Sequence, residues 1–239
     1  MAIQRHFDQE LDRLKEKLLT MASYAESAVT MGINSLVQRN DDLAGQVKEN
    51  DSILDNLEKE IDEMAIALLA LKAPLASDLR LITIAMKISH DLERVGDEAT
   101  TIARRSLELN QEPQLKPYID IPRMAEMGLR MLHEAIDSFV SRDPAKARAI
   151  IPRDKDVDAL NKQLHRELVS FVIEDPSTTT RCLNLMVISK CLERIADHAT
   201  NIAEEVVYLY EGTDIRHNKP IIQPPIQSVS PGDRAERPQ

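Results

Sequence analysis

The segment Met86–Ala103, MKISHDLERVGDEATTIA, returns 100 residues later as Met186–Ala203, MVISKCLERIADHATNIA, with 11 of 18 positions identical. Such a repeat sets the architecture before any local reading does. The 239 residues divide into two similar halves, near 1–112 and 118–212, each long enough to bury a core. The repeat also singles out particular side chains. Glu93, Arg94 and Asp97 recur as Glu193, Arg194 and Asp197. Helix packing requires apolar residues at these spacings, but it does not require two acids four residues apart. Such a pair repels itself by roughly 0.2–0.5 kcal/mol. Its presence in both copies points to something positive between the carboxylates.

The fold class follows from the composition around the repeat. Gly is scarce at 6 residues, aromatics make up 3% and Trp is absent, whereas Leu, Ala, Ile, Glu, Lys and Arg abound. This is the signature of long helices rather than sheets. A net charge of −10 argues against DNA or RNA as the main ligand, because phosphate contacts need clustered cations. The N-terminus MAIQRHFDQELDRLK lacks the apolar run of a signal peptide. The longest apolar stretch, Met64–Leu71, is eight residues, against the ~20 a membrane-spanning helix needs. A soluble, cytoplasmic protein is expected. Cys182 and Cys191 fall on one helix about 13 Å apart, too far to bridge, so both should be buried reduced thiols.

Six long helical patterns stand out. The first runs from about Arg5 to Gln38, and the second from an N-cap at Asn40 or Asp41 to Pro74. The third spans about Ser77–Leu109 and is followed by a linker marked by Pro113, Pro117 and Pro122. The fourth covers roughly Ile121–Arg142. The fifth opens at Asp143–Pro144, an N-cap followed by Pro at the first helical position, and Pro152 should kink it or delay its start. The sixth runs from Pro176–Ser177 to a stop at Gly212. The expected fold is all-α, with two tandem antiparallel three-helix bundles. Residues 213–239 hold five of the 12 prolines and read as a mobile or surface-hugging tail outside both bundles.

On the third helix Ile88, Leu92, Val95, Ala99 and Ile102 form one apolar stripe, and the sixth repeats it with Ile188, Leu192, Ile195, Ala199 and Ile202. Glu93 and Asp97 lie on a different face. Gly96, which costs roughly 1 kcal/mol in a helix interior, asks for a packing reason. One helix earlier in each half sits a second acidic pair, Asp51 with Asp55 and Asp154 with Asp158. If those helices are adjacent and antiparallel, each half gathers four carboxylates on one patch, a ligand set for hard or borderline cations. A single acidic pair is ordinarily a solvated face; it is the duplication of two pairs that argues for a ligand. His198 and Asn201 would extend the second patch, where the first copy has Glu98 and Thr101. His90, His133 and His165 read as boundary or surface histidines. No Glu-x-x-His, Gly-rich phosphate loop, nucleophile elbow or Cys/His metal cluster occurs, so neither a ferritin-type oxidase nor any other enzyme is expected.

DLERVGDEA, CLERIADHATNIAE and the closing YLYEGTDIRH resemble the PhoU family, the accessory and regulatory proteins of bacterial phosphate transport. The resemblance covers about residues 5–217. It implies multinuclear iron or other divalent metal at the bundle surface. One site would be Asp51, Asp55, Glu93 and Asp97, and the other Asp154, Asp158, Glu193 and Asp197. Divalent or trivalent Fe, Mn, Mg or Zn would be the cofactor. It also implies a cytoplasmic homodimer or higher oligomer that links the ATPase of the phosphate ABC transporter to the sensor histidine kinase of the phosphate regulon and restrains both. A metal-handling protein whose carboxylate clusters are the function is the alternative. A plain helical scaffold with solvated acids is the third reading.

Overall fold

Side-chain caps and prolines fix where the helices begin and end. Asn40 Oδ1 accepts the backbone N–H groups of Asp42 at 3.0 Å and Leu43 at 3.3 Å, satisfying donors that a helix start leaves unpaired. Asp143 Oδ1 does the same for Lys146 N at 3.0 Å, with Pro144 next in sequence. Gly212, at φ 71°, closes the last helix, and its N–H donates to the Tyr208 carbonyl at 2.9 Å.

The computed structural model describes residues 2–72 and 76–216. In chain order the helices are α1 (Ala2–Val37), α2 (Asp41–Lys72), α3 (Ala76–Asn110), α4 (Asp120–Ser141), α5 (Pro144–Ile150), α6 (Asp154–Glu174) and α7 (Thr179–Glu211), with no strand among the described residues. The expected stop at Pro74 lies outside them. The fifth expected helix is two. Ile151–Arg153 form a 3-10 turn around Pro152, which has no N–H to give and whose ring clashes with the carbonyl four residues back. Pro122 falls in the first turn of α4, where its missing N–H would have had no partner anyway.

Helices α1, α2 and α3 pack on one another, as do α4, α5–α6 and α7. All ten stripe residues on α3 and α7 are buried. Gly96 also has its packing reason: a Cβ there would stand 2.4 Å from Leu54 Cδ1. Leu54, between Asp51 and Asp55 on α2, fills the notch that the missing side chain leaves, and it is itself buried. The equivalent positions of the second half hold Val157 and Ala196, both buried. A smaller side chain on one helix accompanies a larger one on the other, so interior volume is roughly kept. These contacts set the distance between the helices that carry the acids.

The halves meet along α3 and α7, with α1 against α4. Glu98 faces Arg194, Asp91 faces Asn201 and Lys87 faces Glu205, so α3 and α7 run antiparallel. One continuous apolar core runs through both halves. Cys182 and Cys191 are buried free thiols, as expected. Among the described residues no helix is long and apolar enough to cross a membrane.

Beyond Gly212, residues 217–239 of the expected tail lie outside the described residues. Its first residues are docked rather than loose. Arg216 Nη1 donates to Glu205 Oε1 at 2.8 Å, and Asp214 Oδ1 accepts from Arg216 Nε at 2.9 Å. A single arginine captured by a buried carboxylate leaves no periodic signal in the sequence.

Candidate functional site

Each half brings its two acidic pairs onto facing helices. In the first half α2 carries Asp51 and Asp55, and α3 carries Glu93 and Asp97. Partial burial raises the Asp97 pKa, the Arg94 guanidinium lowers it, and Asp51 and Asp55 raise it again. Glu93 is raised by burial and then by Asp97. Asp97 is thus the group that feels the pair on α2, whereas Glu93 feels Asp97. Arg94 Nη1 donates to Asp97 Oδ2 at 3.1 Å and Arg94 Nε stands 3.4 Å from Glu93 Oε2, so this patch carries its own guanidinium. Thr100 Oγ1 donates to Asp51 Oδ1 at 3.1 Å.

The second half repeats the geometry with fewer partners. Asp154 on α6 is raised from 3.8 to about 6, first by burial and then by Asp197, Asp158 and Glu193. Lys162 Nζ lies 3.4 Å from Asp158 Oδ2, and the Lys190 ammonium contacts Glu193. The first half's Thr100–Asp51 bond has Thr200 and Asp154 as its counterparts. There Thr200 Oγ1 and Asp154 Oδ1 are both buried without a hydrogen bond. Buried polar atoms of this kind are rare and costly, and a cation is one of the few things that satisfies several acceptors together.

Each half thus places its two acidic pairs on facing helices without drawing them into a tight cluster. Among the described residues no three of the eight carboxylates bring ligand oxygens within 4.8 Å of one another. The trio that does is Glu58, His90 and Glu93. His90, read from sequence as an ordinary boundary histidine, has Nδ1 at 3.1 Å from Glu58 Oε1. The available signal was spacing: Glu58 is one turn beyond Asp55, and His90 one turn before Glu93.

His198 and Asn201 do not extend the second patch. His198 Nδ1 lies 2.8 Å from Asp91 Oδ1 and Asn201 Nδ2 donates to it at 3.2 Å, across the junction of the halves. Glu98 likewise leaves the first patch to accept Arg194 Nη1 at 3.1 Å. The repeated arginine therefore has two roles: Arg94 pairs with two acids of its own patch, and Arg194 joins the halves. His133 pairs with Glu26, and His165 Nε2 sits 3.0 Å from Ser189 Oγ.

The model of the PhoU domain matches residues 18–106 and again 121–206. The chain belongs to the PhoU family. It is 40% identical, over 90% of its own length and 89% of the other's, to a phosphate-specific transport system accessory protein PhoU homolog of Pseudomonas aeruginosa. The crystal structure of PhoU from Pseudomonas aeruginosa superposes with a TM-score of 0.84 at 40% identity, covering 87% of this chain and 100% of that one. That of the phosphate transport system regulatory protein PhoU from Streptococcus pneumoniae gives 0.82 at 28%, covering 87% and 99%. The two family matches fall on the two halves, so in this PhoU-family chain the duplicated acids sit at equivalent places of a duplicated domain.

Proposed function

We propose that this chain is a non-enzymatic negative regulator of phosphate uptake and of the phosphate-starvation response. It acts as a cytoplasmic adaptor between the ATPase subunit of the phosphate ABC transporter and the sensor histidine kinase of the regulon, and it works as a homodimer. The observation that carries this reading is the 40% identity over 90% of the chain to a relative named as an accessory protein of phosphate transport. The long helices and acidic surface suit docking by helix face, with electrostatic complementarity setting encounter rate and specificity.

The eight duplicated acids are proposed as metal ligands of that adaptor. Asp51, Asp55, Glu93 and Asp97 would hold one centre and Asp154, Asp158, Glu193 and Asp197 the other. All-oxygen donors suit Fe, Mn or Mg. Support comes from the buried, unbonded oxygens of Asp154 and Thr200 and from the raised pKa of Asp154. Bound cations would neutralise the patches and stiffen the contact between α2 and α3 and between α6 and α7. The same orphaned oxygens favour, as a second reading, a protein whose primary task is metal handling.

A pull-down from phosphate-replete cells with tagged full-length protein tests the adaptor reading. The kinase and the transporter ATPase should be enriched over an untagged control. Recovery of neither, with metal retained on the protein, would favour the metal-handling reading.

A further inference from the structure

The repeat makes each half a control for the other, and at the junction the two differ. An open cleft of about 530 Å3 lies there, lined among others by Glu58, Asp62, Lys87, Asp91, Glu205 and Arg216. At the repeat-equivalent positions of Glu58, Asp62, Asp91 and Glu205 stand Asn161, His165, Cys191 and Arg105. None of the four carboxylates is kept, so the duplicated packing of α3 and α7 does not call for them. Glu205 is the most buried of the four, and two cations reach it. Lys87 Nζ comes from α3 at 3.0 Å, and Arg216 Nη1 arrives from the segment after Gly212 at 2.8 Å. Lys87 is held by its helix. Arg216 sits in irregular backbone beyond the last helix, and its side chain is 35% exposed. Asp214 accepts from Arg216 Nε at 2.9 Å and from Nη2 at 2.6 Å, which aims the guanidinium at Glu205. The other acids stay in the cleft. Asp91 meets His198 and Asn201, and Glu58 meets His90. Burial and then the Glu58 carboxylate raise the Asp62 pKa, so negative charge is crowded at that wall.

We propose that this cleft is the seat for an arginine-bearing basic segment of a partner protein, and that Arg216 fills it in cis as a latch which the partner's arginine displaces. The guanidinium already seated there shows the chemistry the cleft accepts, a planar donor fork against a carboxylate. A buried carboxylate such as Glu205 is costly to leave unpaired, so an incoming arginine exchanges one guanidinium for another and leaves none of that cost behind. The cleft volume falls within the range of ligand sites, about 300–1,000 Å3, and leaves room for a chain around the side chain. Glu58 and Asp62 give a second basic residue of the partner a place to pair. While the latch is closed the partner's apparent affinity falls by the fraction of open molecules. This inference goes beyond the adaptor reading and rests neither on it nor on metal.

The test is fluorescence anisotropy of a fluorescein-labelled Gly-Arg-Gly-Arg-Gly peptide titrated with full-length protein. Arg216→Ala should bind the peptide about tenfold more tightly than wild type, because a charge-assisted competitor is gone. Arg216→Lys, which keeps a cation against Glu205 and so guards the fold, should fall between the two. Adding Glu205→Gln to Arg216→Ala should abolish the gain, and adding Asp62→Asn should reduce it. Arg130→Ala removes the same charge from α4, where Arg130 pairs with Glu126, and should bind as wild type does. Equal binding by wild type, Arg216→Ala and Arg216→Lys would overturn the proposal. So would a gain that survives Glu205→Gln, or an equal gain in Arg130→Ala, which would reduce the effect to net charge.

Discussion

Replacing Asp154 by Asn should stabilise the metal-free protein at pH 8 by about 2 kcal/mol and remove the share of metal stabilisation that comes from the second centre. Burial and three neighbouring carboxylates raise the Asp154 pKa from 3.8 to about 6. The folded state thus holds this proton more tightly than the unfolded state does. Where the folded state binds more protons, stability falls as pH rises. The loss runs from about pH 4, near the unfolded value, to about pH 6, and the full cost persists above that. A rise from 3.8 to about 6 is worth roughly 3 kcal/mol, which partial exposure reduces. Asparagine keeps the shape and never charges. The expected gain is about 4–8 °C in Tm at pH 8, shrinking toward zero at pH 4. Divalent metal should raise the wild-type Tm by mass action and raise that of Asp154→Asn less, because only the first centre stays intact. Differential scanning calorimetry at pH 4, 6 and 8, with and without metal, checks all of these. A variant less stable than wild type at pH 8 without metal would show that Asp154 is a structural acid and not a strained ligand.

Removing both cations from Glu205 should destabilise the fold by about 3 kcal/mol. Glu205 on α7 is 5% exposed. Lys87 Nζ on α3 reaches its two oxygens at 3.0 and 3.2 Å, and Arg216 Nη1 reaches Oε1 at 2.8 Å. A buried carboxylate is tolerated while it is paired, and stripping its partners costs about 3–5 kcal/mol. Lys87 is 46% exposed, which places the effect at the lower end. The variant Lys87→Met/Arg216→Met should lose roughly 6–12 °C in Tm. Adding Glu205→Leu should restore most of it, because an apolar trio can replace a buried ion cluster at little cost. Thermal melts of the double and triple variants decide this. No recovery on adding Glu205→Leu would show that the loss comes from packing of the long stems rather than from an unpaired charge. The same cluster sets where the tail can be cut: a truncation meant to leave the bundles intact must keep Arg216.

What could be read from the sequence was local and periodic. The stripes on α3 and α7, the caps at Asn40 and Asp143, the break at Pro152 and the notch at Gly96 all follow from spacing or from one residue's backbone chemistry. The acidic pairs were legible because the chain states them twice. What escaped was non-local. His198 and Asn201 turn to Asp91, and Arg194 to Glu98, because α3 and α7 pack antiparallel across the junction, a register that neither half encodes alone. Glu205 could be recognised as a buried charge only once Lys87 and Arg216 had been brought to it from distant positions. His90 was legible in principle. Its spacing to Glu93 is ordinary for a helix, however, and only the arrival of Glu58 from α2 distinguishes it.

The central claim is that this PhoU-family chain restrains the phosphate-starvation response. It is tested most directly by a starvation-promoter reporter at high phosphate in a strain lacking the protein. Deletion should leave the reporter on, and the full chain should silence it. A chain ending after Arg216 should silence it as well, since residues 217–239 belong to neither bundle pattern. A reporter that stays silent in the deletion strain would contradict the account.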